Sequence, residues 1–432
     1  MRTSLQTASR LLGVLRWNRS GSRLLSNVAA VLGSRSVLEI SGADSKALLQ
    51  GLITNDISLL DEDKGHHPCI SAAFLNPKGR VLGDALVAMS PRHEAKRKPG
   101  YLLDCPSSVA QVLKTHLKLY KLRSKVKIKD ASTLYDVLVS GVRDPWQAGE
   151  SGDGGDAYPQ PDADTGGCAV RYADPRCAAL GVRLIRPKGE ADSNGMNWPH
   201  GDLVVPEERY HALRVANGVG EGSELVDSIP LESNLDLMGS ISFTKGCYVG
   251  QELTARTQFK GFVRKRVLPV VFPANGEVTS ASAIGDVPRV SADIEKSPEL
   301  LLSKWGSVEP GGATGTPQAG SKVVDQAAGD GKLGALVAVS PEYNVGLALL
   351  RLGKIMAAAS GGTDDGKTDS VNAGSPDRRQ AGSARPAVDC RVVHEPGHGK
   401  GGEEGEERRR CLPLTPPWWP KDLDPSTGKV PS

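Results

Sequence analysis

Residues 243–257, Phe243-Thr244-Lys245-Gly246-Cys247-Tyr248-Val249-Gly250-Gln251-Glu252-Leu253-Thr254-Ala255-Arg256-Thr257, hold more chemistry than any stretch of similar length. A thiol, Cys247, lies between Gly246 and Gly250 and near two cations, Lys245 and Arg256. Tyr248, Gln251 and Glu252 complete the set. Nearby positive charge favours the thiolate, which is both nucleophile and metal ligand. Glycine allows positive φ or close backbone approach. The plainer alternative is a tight turn entering a helix, with Cys247 an ordinary buried small residue. Glu252 and Arg256 would then form an i, i+4 pair.

The other cysteines are Cys69, Cys105, Cys168, Cys177, Cys390 and Cys411. None forms a C-x-x-C pair or has zinc-finger spacing with histidine. An odd count at irregular spacing argues against a disulfide framework and for a reducing compartment. It also argues against a cluster held by four thiolates of this chain.

The elements that must position Cys247 follow from periodicity. Residues 37–40 alternate as a strand, and Asp44 stands at the N-cap of a helix through Ala47, Leu48 and Leu52. Residues 72–75 and 81–89 flank Asn76-Pro77-Lys78-Gly79, a type I hairpin turn. A strand at 101–103 precedes a helix at 107–119, with Val109, Val112 and Leu113 inward, and then a strand at 126–128. Strands follow at 135–139 and 180–184, where Arg176 and Arg183 are placed to pair with carboxylates. Pro206-Glu207-Glu208 opens a helix with Tyr210 and Leu213 inward, and Gly218 ends it. Strands at 263–271, 333–339 and 345–352 complete the pattern. Helices returning between strands of mixed spacing imply an α+β fold.

Composition sets limits. A chain of 432 residues exceeds one ordinary core. Abundant glycine and only 4% aromatics point to domains interrupted by insertions, read at 143–167, 274–328 and 360–410. A net charge of +3 makes no case for nucleic acid, and no apolar run could span a membrane. Residues 1–26 carry five arginines and no acid, as an organellar transit peptide does, with cleavage expected near Arg23 to Ser26. Trp418 and Trp419 are expected to dock on the C-terminal sheet.

Lys245-Gly246-Cys247-Tyr248-Val249-Gly250-Gln251-Glu252, preceded by Pro230-Leu231-Glu232-Ser233-Asn234-Leu235-Asp236, resembles the signature of the IBA57/YgfZ iron–sulfur cluster assembly family. That family sits within the folate-binding glycine cleavage T-protein (aminomethyltransferase-like) superfamily. The likeness extends through residues 49–56, 74–80, 119–123, 174–176 and 261–266 to Trp418-Trp419-Pro420. It implies a T-protein-like multi-lobed fold: an N-terminal lobe at 27–130, a second lobe at 131–262 carrying the signature, and a C-terminal β-barrel at 263–432. It implies the mitochondrial matrix, tetrahydrofolate as cofactor, and a transient iron–sulfur cluster shared with a partner. The partners it implies are A-type iron–sulfur carriers and [4Fe-4S] client enzymes.

Under this resemblance Cys247 is the central residue and a transient cluster ligand. Lys245, Gly246, Tyr248, Gly250, Gln251, Glu252 and Arg256 shape its surroundings. Asn55, Asp84, Tyr120, Arg123, Glu232 and Asn234 are the implied folate contacts. From the residues alone, Asp84 also reads as a surface carboxylate, and Tyr120 to Arg123 as a cationic helix end. Aminomethyltransferases carry an acidic pair near Asp84, but its first member here is Gly83. Three functions remain: cluster assembly, which the signature favours; a folate-dependent aminomethyltransferase, which Gly83 weakens; and a scaffold in which Cys247 is structural.

Overall fold

The computed structural model describes residues 28–61, 67–90, 100–142, 170–188, 203–272, 317–326, 329–340, 343–357, 390–394, 407–414, 416, 418–420, 422–424 and 426–430. The expected transit peptide, the 143–167 insertion and Cys168 lie outside them.

The chain opens with β1 (Val28–Val31), β2 (Arg35–Ser41) and helix α1 (Ser45–Gln50). Strands β3 (Cys69–Leu75), β4 (Val81–Met89) and β5 (Gly100–Pro106) follow, then helix α2 (Ser107–Lys121) and β6 (Lys127–Asp130). Next come β7 (Tyr135–Val142), β8 (Val170–Ala173), β9 (Val182–Pro187), β10 (Leu203–Val204) and helix α3 (Glu207–Ala216). Helix α4 (Gln251–Lys260), β11 (Lys265–Val271), β12 (Lys322–Asp325), β13 (Gly331–Val339), β14 (Val345–Arg351) and helix α5 (Leu352–Ala357) continue. The chain closes with β15 (Cys390–His394), β16 (Glu407–Arg410) and β17 (Leu412–Pro413).

Three sheets result. The first runs β3-β4-β5-β2-β6 and the second β10-β1-β7-β9-β8. The third runs β16-β15-β12-β13-β14-β11-β17, and one of the sheets forms a half-barrel. The α+β, T-protein-like class is borne out. Strand β1 pairs with β7 and β10, so the span read as the first lobe begins with a strand of the second lobe's sheet.

The first sheet is covered on both faces. Leu38, Ile40, Val87 and Leu103 point towards α1 and α2, while Val37, Leu86, Ala88 and Leu102 meet the second sheet. This explains why its strands read as continuous apolar runs. Helix α3 joins the layers: Tyr210 and Leu213 enter the inter-sheet core, and Ala212, Val215 and Ala216 pack on the third sheet.

Several local expectations change. Val112 is exposed, because the buried face of α2 is set by Val109, Leu113, His116 and Leu117, about a quarter-turn away. Asp44 precedes α1 but makes no side-chain cap; its carboxylate accepts from the Lys125 N–H at 2.6 Å. Residues 178–180 form a 3-10 turn ahead of β9. Strands β12, β15 and β16 fall inside stretches read as insertions. Their four or five residues are too short to show a period amid glycine and charge, and the ladder recruits them. The paired tryptophans divide. Trp419 packs on the third sheet's core, while Trp418 packs against the buried cluster that also receives Phe243 and Tyr248, and donates its indole N–H to Asn217 O at 2.7 Å.

Candidate functional site

The signature is strapped onto the segment that follows α1. Lys245 Nζ donates to three carbonyls, Gln50 O at 2.7 Å and Ile53 O and Asn55 O at 2.8 Å. These oxygens belong to a helix C-terminus and its exit, where carbonyls carry partial negative charge. An ammonium has three donors, and all three are used. The same Nζ lies 4.9 Å from the Tyr248 ring centre, a cation–π contact. Burial pulls Lys245 down to about 8, with Asp56 opposing. Further bonds run from Ser242 N to Thr54 O and from Val249 N to Gly51 O, each 3.0 Å.

Glycine is required at one of the two positions flanking the thiol. Gly250 has φ +78°, and a Cβ there would meet Asn76 O at 2.4 Å. The hairpin turn thus presses against the signature, and Asn76 O also accepts from Gly79 N at 2.9 Å, as a type I turn requires. Gly246 has open space around it. Gln251 begins α4, and its side-chain oxygen accepts from Tyr248 N at 3.0 Å. The Tyr248 phenol is pushed up by burial.

Between these anchors Cys247 is exposed. Two cations are expected near it. Lys245 is engaged by carbonyls, and Arg256 lies exposed on α4, without an ion pair to Glu252 among the described residues. The remaining described cysteines are buried. Burial pushes Cys105 up to about 12 and Cys177 to about 11. Among the described residues no group of three metal-ligating side chains converges, and Cys247 is the exposed cysteine.

The residues read as folate contacts sit in different local settings. Asn55 is joined to the signature through Lys245, but its amide bonds to Ser71 O and Gly239 O at 2.8 and 2.9 Å. Asn234, with φ +61°, donates to Val267 O at 2.7 Å and accepts from Arg266 Nη1 at 3.3 Å. Both amides are therefore committed to the fold. Tyr120 packs on His116 at 4.7 Å between ring centres, and Arg123 is exposed. The Glu232 carboxyl is raised by burial, against Lys265 and Arg80.

Asp84 is buried, not on the surface, and accepts from Gly222 N at 2.7 Å. It borders a buried charge network between the first two sheets and α3. Arg35 Nε lies 2.6 Å from Asp104 Oδ1, and Arg176 lies 2.7 Å from Asp174 and 2.6 Å from Glu221. Arg183 reaches Asp174 at 3.2 Å, and Arg214 reaches Glu224 at 2.7 Å. The carboxylate partners expected for Arg176 and Arg183 are thus present, while Asp104 and Glu221 carried no local signal. Burial alone would raise Glu221, but Arg176, Arg35, Arg214 and Arg183 hold it well below the usual carboxylate range. Gly83 faces the opposite way. A Cβ there would lie 2.9 Å from Val109 Cβ and 3.0 Å from its Cγ2, so this backbone has no room for a second acid.

No family model matches the chain. It is 32% identical over 394 residues to the Mycosarcoma maydis protein named iron–sulfur cluster assembly factor IBA57 homolog, mitochondrial, covering 90% of this chain and 84% of that one. The Neurospora crassa homolog of the same name is 32% identical, covering 91% and 81%. The human IBA57 is 36% identical over 272 residues, covering 59% and 70%. The fold resembles the crystal structure of the glycine cleavage aminomethyltransferase T from Bartonella henselae, with TM-score 0.51 and 9% identity over 91% of this chain and 86% of that one. That second likeness is one of fold alone. By sequence, over nearly its whole length, the chain belongs to the family of mitochondrial iron–sulfur cluster assembly factors IBA57.

Proposed function

We propose that this chain is a mitochondrial assembly factor that helps mature [4Fe-4S] proteins, with Cys247 as its donor to a cluster shared with a partner. One observation carries the reading: the signature thiol is exposed, while the other described cysteines are buried. A bridged cluster is cargo and asks few thiolates of each protein. Cys247 would lose its proton to water and donate a sulfur lone pair to iron, while the partner's ligands hold the rest. The backbone bonds around Lys245 fix the loop before the partner arrives. The partners under this reading are A-type iron–sulfur carriers, and the clients are enzymes such as aconitase and lipoate synthase.

Folate binding rests on the fold likeness and on Tyr120 and Arg123, a ring and a cation suited to a pterin or aryl face and a carboxylate tail. Asn55 and Asn234 have their amides engaged, and no step is routed through the cofactor. Transferase chemistry is disfavoured by Gly83, whose side-chain direction is filled by α2.

The test is aconitase activity in mitochondria depleted of this protein and rescued with wild type or Cys247→Ser, with glycine cleavage flux measured alongside. Rescue by wild type alone supports both the role and the thiol. Rescue by both forms leaves the thiol structural. Lost glycine cleavage with normal aconitase would mean a transferase.

A further inference from the structure

Of the five phenylalanines, Phe74 and Phe272 are fully buried, whereas Phe259 and Phe262 are 69% and 57% exposed. Single exposed apolar residues need no explanation, but two aromatic rings three residues apart do. Both belong to one surface. Helical spacing puts Glu252, Arg256, Phe259 and Lys260 along the outward side of α4, opposite buried Thr254. Phe262 and Arg264 extend this surface past the helix end, and both are exposed. Neither ring is loose. Phe259 makes an edge contact with Phe243, 6.1 Å between ring centres, and the Arg264 guanidinium lies 5.9 Å from the Phe262 centre.

We propose that the outward side of α4 is a docking surface for a protein whose facing surface is acidic, and that this protein covers Cys247. The inference rests on the assembly reading, under which a cluster at Cys247 must be closed by a second protein. Phenylalanine and arginine are enriched where proteins meet, and rings already held by neighbours lose little freedom on contact. Arg256, Lys260 and Arg264 face one acid, Glu252, so the surface selects for negative charge opposite. Since α4 starts four residues after Cys247, a partner seated there lies beside the thiol.

The experiment is calorimetric titration of the full chain with an A-type carrier holding a [2Fe-2S] cluster. Wild type is compared with Phe259→Ser/Phe262→Ser and with Arg256→Glu/Lys260→Glu/Arg264→Glu. Leu134→Ser, at an exposed site between β6 and β7, is the control. Both multiple variants are expected to bind at least about tenfold more weakly, a loss of hot-spot size. Wild-type affinity is expected to fall several-fold between about 50 and about 300 mM salt, and the charge-reversed variant to lose that dependence. The charge-reversed variant, with melting as its check, keeps the test decisive should the aromatic pair not fold. Equal binding by wild type and both variants overturns this inference while the assembly reading stands. Absence of carrier binding by wild type removes both. If the variants change only sedimentation of the chain alone, the surface is a self-association face and the inference is overturned.

Discussion

The Gly222 N–H donates a 2.7 Å hydrogen bond to Asp84 Oδ1 across 138 residues of sequence, holding the loop after α3 against the first sheet. Burial and then Glu221 raise the Asp84 carboxyl above 3.8, against Arg35 and Arg176. A raised folded value means that the folded state keeps its proton after the unfolded chain has lost it. This contribution to stability is full below pH 3.8 and declines as pH climbs to the folded value. Asp84→Asn keeps the acceptor without the penalty and should match or exceed wild type at neutral pH in urea unfolding. Asp84→Ala strands a buried N–H and should cost about 1–3 kcal/mol.

Replacing Gly83 with Asp recreates an acidic pair where α2 leaves no room. We expect destabilisation of about 3 kcal/mol or more, from overpacking and a buried charge. Measurable aminomethyl transfer by a folded Gly83→Asp protein would contradict this.

Lys245→Met leaves the carbonyls of Gln50, Ile53 and Asn55 without their donor. The predicted cost is about 2–3 kcal/mol in chemical unfolding, and faster amide exchange at residues 242–250. Unchanged exchange in that loop would show that the lysine does not hold it.

Native-state alkylation at pH 7.5 should label Cys247 and spare Cys69, Cys105, Cys177, Cys390 and Cys411 until the protein unfolds. Peptide mass spectrometry reads this directly. Early labelling of Cys105 would mean that the first sheet opens locally.

Leu122 has φ +45° and ψ −116° and closes a turn in which Ser124 N donates to Lys121 O at 2.8 Å, yet its side chain is 85% exposed. Glycine suits that backbone. Leu122→Gly should stabilise the fold by about 1 kcal/mol, seen as a higher melting temperature.

Much of the local structure could be read from the residues. The 107–119 helix, the hairpin at Asn76 to Gly79 and the start of α3 declare themselves through period, proline and glycine. The signature declares itself through density of chemistry. What escaped reading is non-local. Lys245 looks like an activator of Cys247 because only Gly246 separates the two, but its acceptors lie some 190 residues earlier. Gly83 and Val109 meet across a strand–helix contact that no period encodes. Strands β15 and β16 are legible only as partners of β12.

Strand β1 has a kinetic consequence. Its residues are among the earliest in the fold, yet its ladder partners are Leu138 to Val142 and Leu203-Val204. A chain emerging N-terminus first, from a ribosome or through a membrane pore, exposes this strand's edge until more than 170 further residues have appeared. Ala30, fully buried at the end, gains its partner Val139 only with β7, and Ala29 waits for Val204 in β10. The second sheet closes late, and a factor that shields an unpaired edge during that interval should raise the yield of folded protein.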